Sequence, residues 1–90
     1  IAHYNLGRTF EREDDSARAI EQYRQAIAVN PMHSKAHFNL ARLLAFNGLE
    51  AEAMEHYKRV LEIRPDHADA HNDLGLLFDL KGIRQTSRIE

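Results

Sequence analysis

Four of the six histidines stand at a spacing that suits a metal site. His33 and His37, and again His67 and His71, are four residues apart, which could place each pair on one face of a helix. The chain has no cysteine, and no third ligand stands near either pair at the spacing of a metal-binding motif. Both pairs also recur at one fixed interval, which a packing role explains for His37 and His71 and a loop role for His33 and His67. We therefore predict structural histidines, no metal site and no cofactor.

Two carboxylates form the other candidate for chemistry. Asp69 and Asp73 lie one helical turn apart and could act as an acid/base or cation-binding pair. A solvated acidic face is the simpler interpretation of such a pair. The motifs G-x-S-x-G and H-E-x-x-H and a phosphate-binding loop are missing, and the 4 glycines are scattered singly. We predict that this chain is not an enzyme.

Composition excludes several other classes. The chain has 90 residues, 43% of them hydrophobic and 29% charged, which is typical of one small globular domain spanning 1–90. A net charge of -2 lacks the basic excess of a nucleic-acid-binding protein, and no apolar run approaches the roughly 20 residues of a membrane span. We expect neither nucleic acid nor a membrane as partner. The lack of cysteine fits a cytoplasmic location, and the start at Ile1 suggests a segment of a longer protein.

The chain repeats itself at an interval of 34 residues. Comparing it with itself at this offset gives 16 identities among 56 pairs, where roughly 4 would occur by chance. The identical pairs include Ala2 with Ala36, Tyr23 with Tyr57, Pro31 with Pro65 and Gly48 with Gly82. This interval divides the chain into repeat one (1–33), repeat two (34–67) and a partial repeat three (68–90).

Apolar residues within each repeat follow helical spacing, two helices to a repeat. The predicted helices span about 2–13, 16–29, 34–47, 50–63 and 68–81, with a partial helix from about 84. Asp14 and Asp15 stand at the first turn, where a carboxylate can cap the following helix. Gly48 and Gly82 mark the equivalent turns of the next repeats. A proline ends the second helix of each repeat, because it disfavours the helical conformation of the residue before it.

This pattern resembles the tetratricopeptide repeat, a 34-residue helix–turn–helix with the signature W-x2-L-G-x2-Y, A-x3-F and P. The matching residues are His3, Leu6, Gly7, Phe10, Ala19, Tyr23, Ala26 and Pro31 in repeat one, His37, Leu40, Ala41, Leu44, Ala53, Tyr57, Val60 and Pro65 in repeat two, and His71, Leu74, Gly75 and Phe78 in repeat three. The resemblance implies an all-α, right-handed α-solenoid of about two and a half repeats.

Packing roles follow from the same resemblance. Leu6, Leu40 and Leu74 are expected in the core. Gly7, like Ala19 and Ala26, is expected to be small because two helices cross closely there. Because these residues pack the core, the polar residues of each first helix should be free for binding.

Function in this family is implied to lie on the concave surface lined by the first helix of each repeat, where an extended peptide or a partner helix docks. The candidate partner-binding residues are Tyr4, Asn5, Arg8 and Arg12 in repeat one, Lys35, Phe38, Asn39, Arg42 and Phe46 in repeat two, and Asp69, Asn72 and Asp73 in repeat three. Asparagine both donates and accepts, which suits a peptide backbone. The groove is basic over the first two repeats and acidic over the third, which favours a ligand with acidic and basic ends in a fixed order.

One specialised ligand fits poorly. Some family members hold the C-terminal carboxylate of chaperone tails in a clamp of Lys, Asn and Arg. Asn5 and Lys35 match part of that clamp, but Asn39 stands where an arginine is expected. Asp69 and Asp73 would repel a carboxylate.

The predicted function is therefore a protein–protein interaction module that binds a peptide or partner segment in the groove. Two alternatives stay open. One is a structural self-assembly unit that forms a homo-oligomer by stacking repeat ends or swapping elements: if the last helix frays, Leu74, Leu77, Phe78 and Ile83 would present an apolar surface at the C-terminal end. The other is a substrate-recruiting segment of a larger enzyme, as the family's fusions suggest.

Overall fold

The computed structural model describes the backbone of residues 2–89 and the side chains of residues 2–79. Five α-helices and no strands make up this part of the chain. They are α1 (Ala2–Arg12), α2 (Ser16–Val29), α3 (Ser34–Phe46), α4 (Glu50–Ile63) and α5 (Ala68–Ile89). Each helix packs on the next along the chain, and α3 also contacts α5. The result is an all-α solenoid, as predicted. None of the described helices is long and apolar enough to span a membrane.

The first four helices begin and end within one residue of their predicted bounds, because local signals set their ends. The Asp15 carboxylate accepts a hydrogen bond from the Arg18 backbone N–H at 3.2 Å and so caps α2. Asp14 (φ 59°) and Gly48 (φ 83°) occupy equivalent positions in their repeats and take the left-handed conformation that turns the chain. The turn tolerates Asp14 because aspartate is one of the few non-glycine residues that enter this region readily.

Two of the candidate metal ligands are helix caps. His33 Nδ1 accepts from the Ala36 backbone N–H at 3.2 Å, at the start of α3. His67 Nδ1 accepts from the Ala70 N–H at 3.1 Å, at the start of α5. A ring nitrogen that accepts a hydrogen bond carries no proton, so both rings use this atom to satisfy a helix N-terminus. The predicted loop role of both histidines is confirmed.

The core follows the repeat. Tyr23 and Tyr57 are equivalent residues of α2 and α4, and both are almost completely buried. Gly7 lets α1 approach α2 closely, because a Cβ at this position would lie 2.6 Å from Cε1 of Tyr23. Ala19 and Ala26 are buried as well, so the prediction of small residues at the helix crossing is confirmed.

The two ends of the solenoid depart from the predictions. Leu6 is 45% exposed, whereas its equivalent Leu40 is fully buried. The prediction of a core role for Leu6 is therefore wrong, since α2 packs over α3 but no described helix packs in that way over α1. Leu74 is half-buried against the core, as expected.

At the other end, α5 runs without interruption through Gly82 to Ile89. The predicted helix end at 81 and new helix from 84 are wrong. A glycine permits a turn without enforcing one, and inside a helix it costs only about 1 kcal/mol relative to alanine. Among the described residues no second helix packs back on α5 as α4 packs on α3.

The predicted apolar surface at this end is also reduced. Leu77 is 6% exposed and belongs to the core, so it is not available on the surface. Phe78 is 50% exposed, and the side chain of Ile83 lies outside the described residues.

Candidate functional site

The predicted packing role holds for His37, which is buried, but not for His71, which is exposed. His37 Nε2 donates to the Pro31 carbonyl and His71 Nε2 to the Pro65 carbonyl, each at 2.8 Å. These bonds tie the first helix of a repeat to the loop that precedes it. Among the residues that the structure describes, no group of three or more His, Cys, Asp or Glu side chains could hold a metal ion.

His37 also belongs to a partly buried histidine pair that the sequence did not predict. Its Nδ1 lies 3.0 Å from Nδ1 of His56 in α4. Because His37 Nε2 carries the proton donated to Pro31, its Nδ1 accepts and His56 Nδ1 donates. The equivalent residues of repeat one, His3 and Gln22, make the same contact at 2.8 Å. Burial is the main cause that lowers the pKa of both rings of the His37–His56 pair.

Charged groups stand near this pair, both on α4 itself and on the neighbouring α2. Glu52 Oε2 lies 3.5 Å from His56 Nε2, and its negative charge partly offsets the fall in the pKa of His56. Arg24 of α2 binds Glu52 in a bidentate ion pair and holds the pKa of that carboxyl below its usual range. The charges of Arg59 and His33 lower the pKa of His37 further. The rings of His37 and His56 therefore both resist protonation.

A polar pocket of about 520 Å³ lies between α1 and α3. It is lined by Tyr4, Arg8, Glu11 and Arg12 of α1 and by Lys35, Asn39 and Arg42 of α3. We call it the first pocket. Four cationic side chains and one carboxylate line it, although the whole chain carries a net charge of -2. The positive charge of the protein is thus concentrated here.

Hydrogen bonds organise the base of the first pocket around Glu11, whose side chain is only 18% exposed. Its carboxylate accepts from Arg42 at 3.0 Å and from the hydroxyl of Tyr23. Asn39 Nδ2 donates to the hydroxyls of Tyr23 and Tyr4, each at 3.4 Å. Burial, together with the bond to Glu11, raises the pKa of Tyr23, which keeps the hydroxyl protonated as the donor.

The remaining cations of the first pocket are available to a ligand. Arg8 lies over the ring of Tyr4, 5.9 Å from its centroid. Arg8, Arg12 and Lys35 are exposed and form no ion pair with any residue in the described part of the chain. Arg42, in contrast, is already neutralised by Glu11.

A second pocket, of about 370 Å³, lies one repeat further along, between α3 and α5. It is lined by Arg42, Ala45 and Phe46 of α3, Glu50 and Tyr57 of α4, and Asp73, Leu76 and Leu77 of α5. Phe46 is 87% exposed and Leu76 is 61% exposed, so the mouth of the second pocket is apolar. Arg42 lines both pockets, which makes them parts of one groove.

The two pockets occupy equivalent places in the repeat but differ in chemistry. At the interval of 34 residues, Arg12 of the first pocket corresponds to Phe46 of the second, and Arg42 corresponds to Leu76. Glu11 corresponds to Ala45, which removes the buried carboxylate. One scaffold therefore presents a cationic site beside an apolar one.

The two pockets also differ at one polar position, which is an asparagine in the first pocket and an aspartate in the second. Asn39 contacts Tyr23 in the first pocket, and its equivalent Asp73 accepts from the Tyr57 hydroxyl at 3.3 Å in the second. Burial and then the negative charge of Asp73 raise the pKa of Tyr57. The second pocket thus carries acidic side chains, Asp73 and Glu50, at its side.

The structure brings together eight of the twelve candidate partner-binding residues. Tyr4, Arg8, Arg12, Lys35, Asn39 and Arg42 line the first pocket, and Arg42, Phe46 and Asp73 line the second. Asn5, Asp69 and Asn72 are exposed but line neither pocket.

Phe38 is the fourth candidate that lies outside both pockets. Its half-buried ring lies 5.9 Å from the ring of Tyr57 and 4.9 Å from that of His67, so it packs between α4 and the start of α5. Tyr4, its equivalent in repeat one, stands in the same way against Tyr23 and His33 and lines the first pocket as well.

Five residues that line the pockets were not predicted from the sequence as binding residues: Glu11, Ala45, Glu50, Tyr57 and Leu77. Glu11 had a detectable signal, because it follows Arg8 by three residues and Tyr4 by seven and so shares their helix face. Tyr57 and Glu50 lie on α4 and reach the groove through the packing of α4 on α3, which no spacing within α3 reveals.

Comparisons with known proteins agree with this architecture. A family model described as Tetratricopeptide repeat matches residues 4–68. Among solved structures, a crystal structure of MamA superposes with a TM-score of 0.87 at 30% sequence identity, covering 93% of this chain and 49% of that one. A crystal structure of MamA protein gives 0.87 at 29% identity, with 94% and 46% covered. This chain therefore spans about half the length of those proteins. No curated protein matches it.

Proposed function

Because this chain belongs to the tetratricopeptide repeat family, we propose that it is a protein–protein interaction module that binds an extended peptide or partner segment in the groove formed by the first and second pockets. The observation that carries the proposal is the continuity of the two pockets across Arg42. Along one side of α1, α3 and α5 they offer exposed apolar side chains and cations that form no ion pair within the described part of the chain. An extended chain is the simplest ligand that reaches both.

The groove has the properties of a preorganised binding surface. Glu11 receives hydrogen bonds from Arg42 and Tyr23, which hold the base of the first pocket before any ligand arrives. The second pocket is supported by the buried Tyr57 and Leu77. Preorganisation reduces the ordering cost of association, which favours affinity for a short segment. The Glu11 and Asp73 carboxylates accept hydrogen bonds from tyrosines and so help to hold the groove in shape, which fits the binding role that we assign to it.

The test is to locate the surface that peptides occupy, without assuming their sequence. Peptides selected from an unbiased phage-displayed library would be titrated into isotope-labelled protein, and backbone amide shifts followed by NMR. We expect the largest changes at groove residues such as Tyr4, Asn39 and Arg42, and none at Lys58, an exposed residue of α4 that lines neither pocket. Shifts confined to the outer faces of α2 and α4 would refute the groove as the binding surface.

Self-assembly through the C-terminal end is the second candidate, and the exposure of Phe78 favours it. Sedimentation equilibrium over a wide concentration range would compare the chain with Phe78→Ser. The buried Leu77 must be left unchanged, because its substitution would unfold the core. A dimer that disappears in Phe78→Ser would support assembly, and a single-chain mass at all concentrations would exclude it for this segment. Homo-oligomerisation and the cytoplasmic location stay predictions.

A further inference from the structure

We infer that the groove recognises a peptide with an acidic side chain in the first pocket and a bulky apolar side chain about three residues away in the second. This inference rests on the proposed peptide-binding function and names the ligand class. It follows from the contrast between the two pockets rather than from either one alone.

The first pocket selects an anion. Three exposed cations, Arg8, Arg12 and Lys35, lack an ion-pair partner in the described structure, whereas the fourth cation is paired with Glu11. A ligand carboxylate can therefore pair with these three without displacing an internal contact. Glu11 is satisfied within the protein and sets a limit to how deeply a second anion can enter.

The second pocket selects an apolar group and rejects an anion. Phe46 and Leu76 are the exposed hydrophobic side chains at its mouth, and covering them is favourable at about 25 cal/mol per Å². The carboxylate of Asp73 stands beside them, so an acidic ligand residue in this pocket would be repelled. Exchange of the two ligand residues between the pockets is therefore unfavourable, which fixes the placement of the peptide.

The repeat sets the spacing of the two ligand residues. The equivalent helices α3 and α5 are in contact, and packed helices lie about 8–10 Å apart, so we expect equivalent points of neighbouring repeats to be separated by about that distance. A polyproline II peptide rises about 3.1 Å per residue with three residues per turn. Residues three apart therefore point to the same side and are separated by about 9 Å, which is close to this expected spacing between neighbouring repeats.

The test uses the repeat as its own control. Substitutions Phe46→Arg, Asp73→Asn and Leu76→Arg replace three residues of the second pocket with their equivalents from the first, and two of the three side chains are exposed. A library of capped peptides, without terminal charges, would be selected separately on the parent protein and on this triple variant. Thermal unfolding followed by circular dichroism would establish that the variant is folded.

The parent should enrich peptides with Asp or Glu and a bulky apolar residue about three positions apart, and the triple variant should enrich peptides with two acidic positions instead. Binding of the parent's peptides should fall about tenfold in Lys35→Glu, which reverses one cation of the first pocket, and stay unchanged in the matched control Lys58→Glu.

Three results would overturn the inference. Peptides that bind the groove by NMR but lack the acidic and apolar pair refute the ligand class and leave the proposed function standing, as does identical selection by the parent and the triple variant. If no selected peptide shifts the groove residues, both the ligand class and the proposed function fail.

Discussion

Replacing Gly7 with alanine should destabilise the protein, even though alanine is the better helix former. An alanine Cβ would lie 2.6 Å from Cε1, 2.8 Å from Cδ1 and 2.9 Å from Cζ of Tyr23. Carbon atoms pack at about 3.5–4.0 Å, so the ring must move by about 1 Å. Tyr23 is fully buried, and its hydroxyl is held by Glu11 and Asn39. The ring therefore cannot move without loss of packing or of hydrogen bonds.

The magnitude is the difference between two effects. Overpacking a well-packed core costs about 1–3 kcal/mol, while glycine to alanine in a helix interior gains up to about 1 kcal/mol. We expect a net loss of about 1 kcal/mol, which lowers Tm by about 4–8 °C for a domain of this size.

Gly75 supplies a matched control, because it occupies the position of Gly7 two repeats later. A Cβ at Gly75 would meet nothing within 4 Å, so Gly75→Ala should stabilise the protein by up to about 1 kcal/mol. The assay is thermal and urea unfolding of the parent and both variants, followed by circular dichroism. If Gly7→Ala proves as stable as Gly75→Ala, the close contact with Tyr23 does not limit this position and the reasoning is wrong.

Three further predictions concern the partly buried His37–His56 pair and the first turn. Since burial lowers the pKa of His37 and His56 in the folded state, the unfolded state takes up protons first as pH falls below about 6.5. The free energy of unfolding should therefore decrease as the pH falls, by at most about 1.4 kcal/mol per pH unit for each ring. His56→Gln, which introduces the equivalent residue of repeat one, should reduce this pH dependence in urea titrations from about pH 5 to pH 8. An unchanged pH dependence would contradict the assignment. Asp15→Ala removes the cap of α2 and should cost about 1 kcal/mol in urea unfolding, and no loss would mean that the cap contributes nothing. Asp14→Gly relieves a positive φ at the position that Gly48 fills in repeat two, so it should leave stability unchanged or raise it; a clear loss in the same assay would contradict that account.

The charged groove has a consequence for the choice of mutations. Arg42 lines both pockets, but its guanidinium is 3.0 Å from the half-buried Glu11. Reversing the charge at Arg42 would place two carboxylates side by side and disturb the folded state as well as binding. Lys35 lies in the first turn of α3, where an acidic residue suits the helix dipole, so Lys35→Glu separates the two effects better.

The helices and their ends could be predicted from the sequence because they depend on neighbours along the chain. Asp15, Gly48 and the two prolines act within one turn of the helix end that they determine. The same signals recur after 34 residues, so a helix end that is ambiguous in one repeat can be located from the equivalent position in the other. The resemblance to the tetratricopeptide repeat implied six of the residues that line the first pocket, which share one face of α1 or of α3, and their role in binding stays a proposal.

The tertiary structure decided everything that depends on a helix being covered by another. Leu6 and Leu40 are the same residue at the same place in the repeat, yet only Leu40 has a helix packed over it. Gly82 has the same residue type and repeat position as Gly48, yet α5 continues through it. The contacts between His37 and His56 and between Glu11 and Arg42 join residues 19 and 31 positions apart. Burial and ion pairing are properties of neighbours in space, and a local sequence pattern specifies only neighbours along the chain.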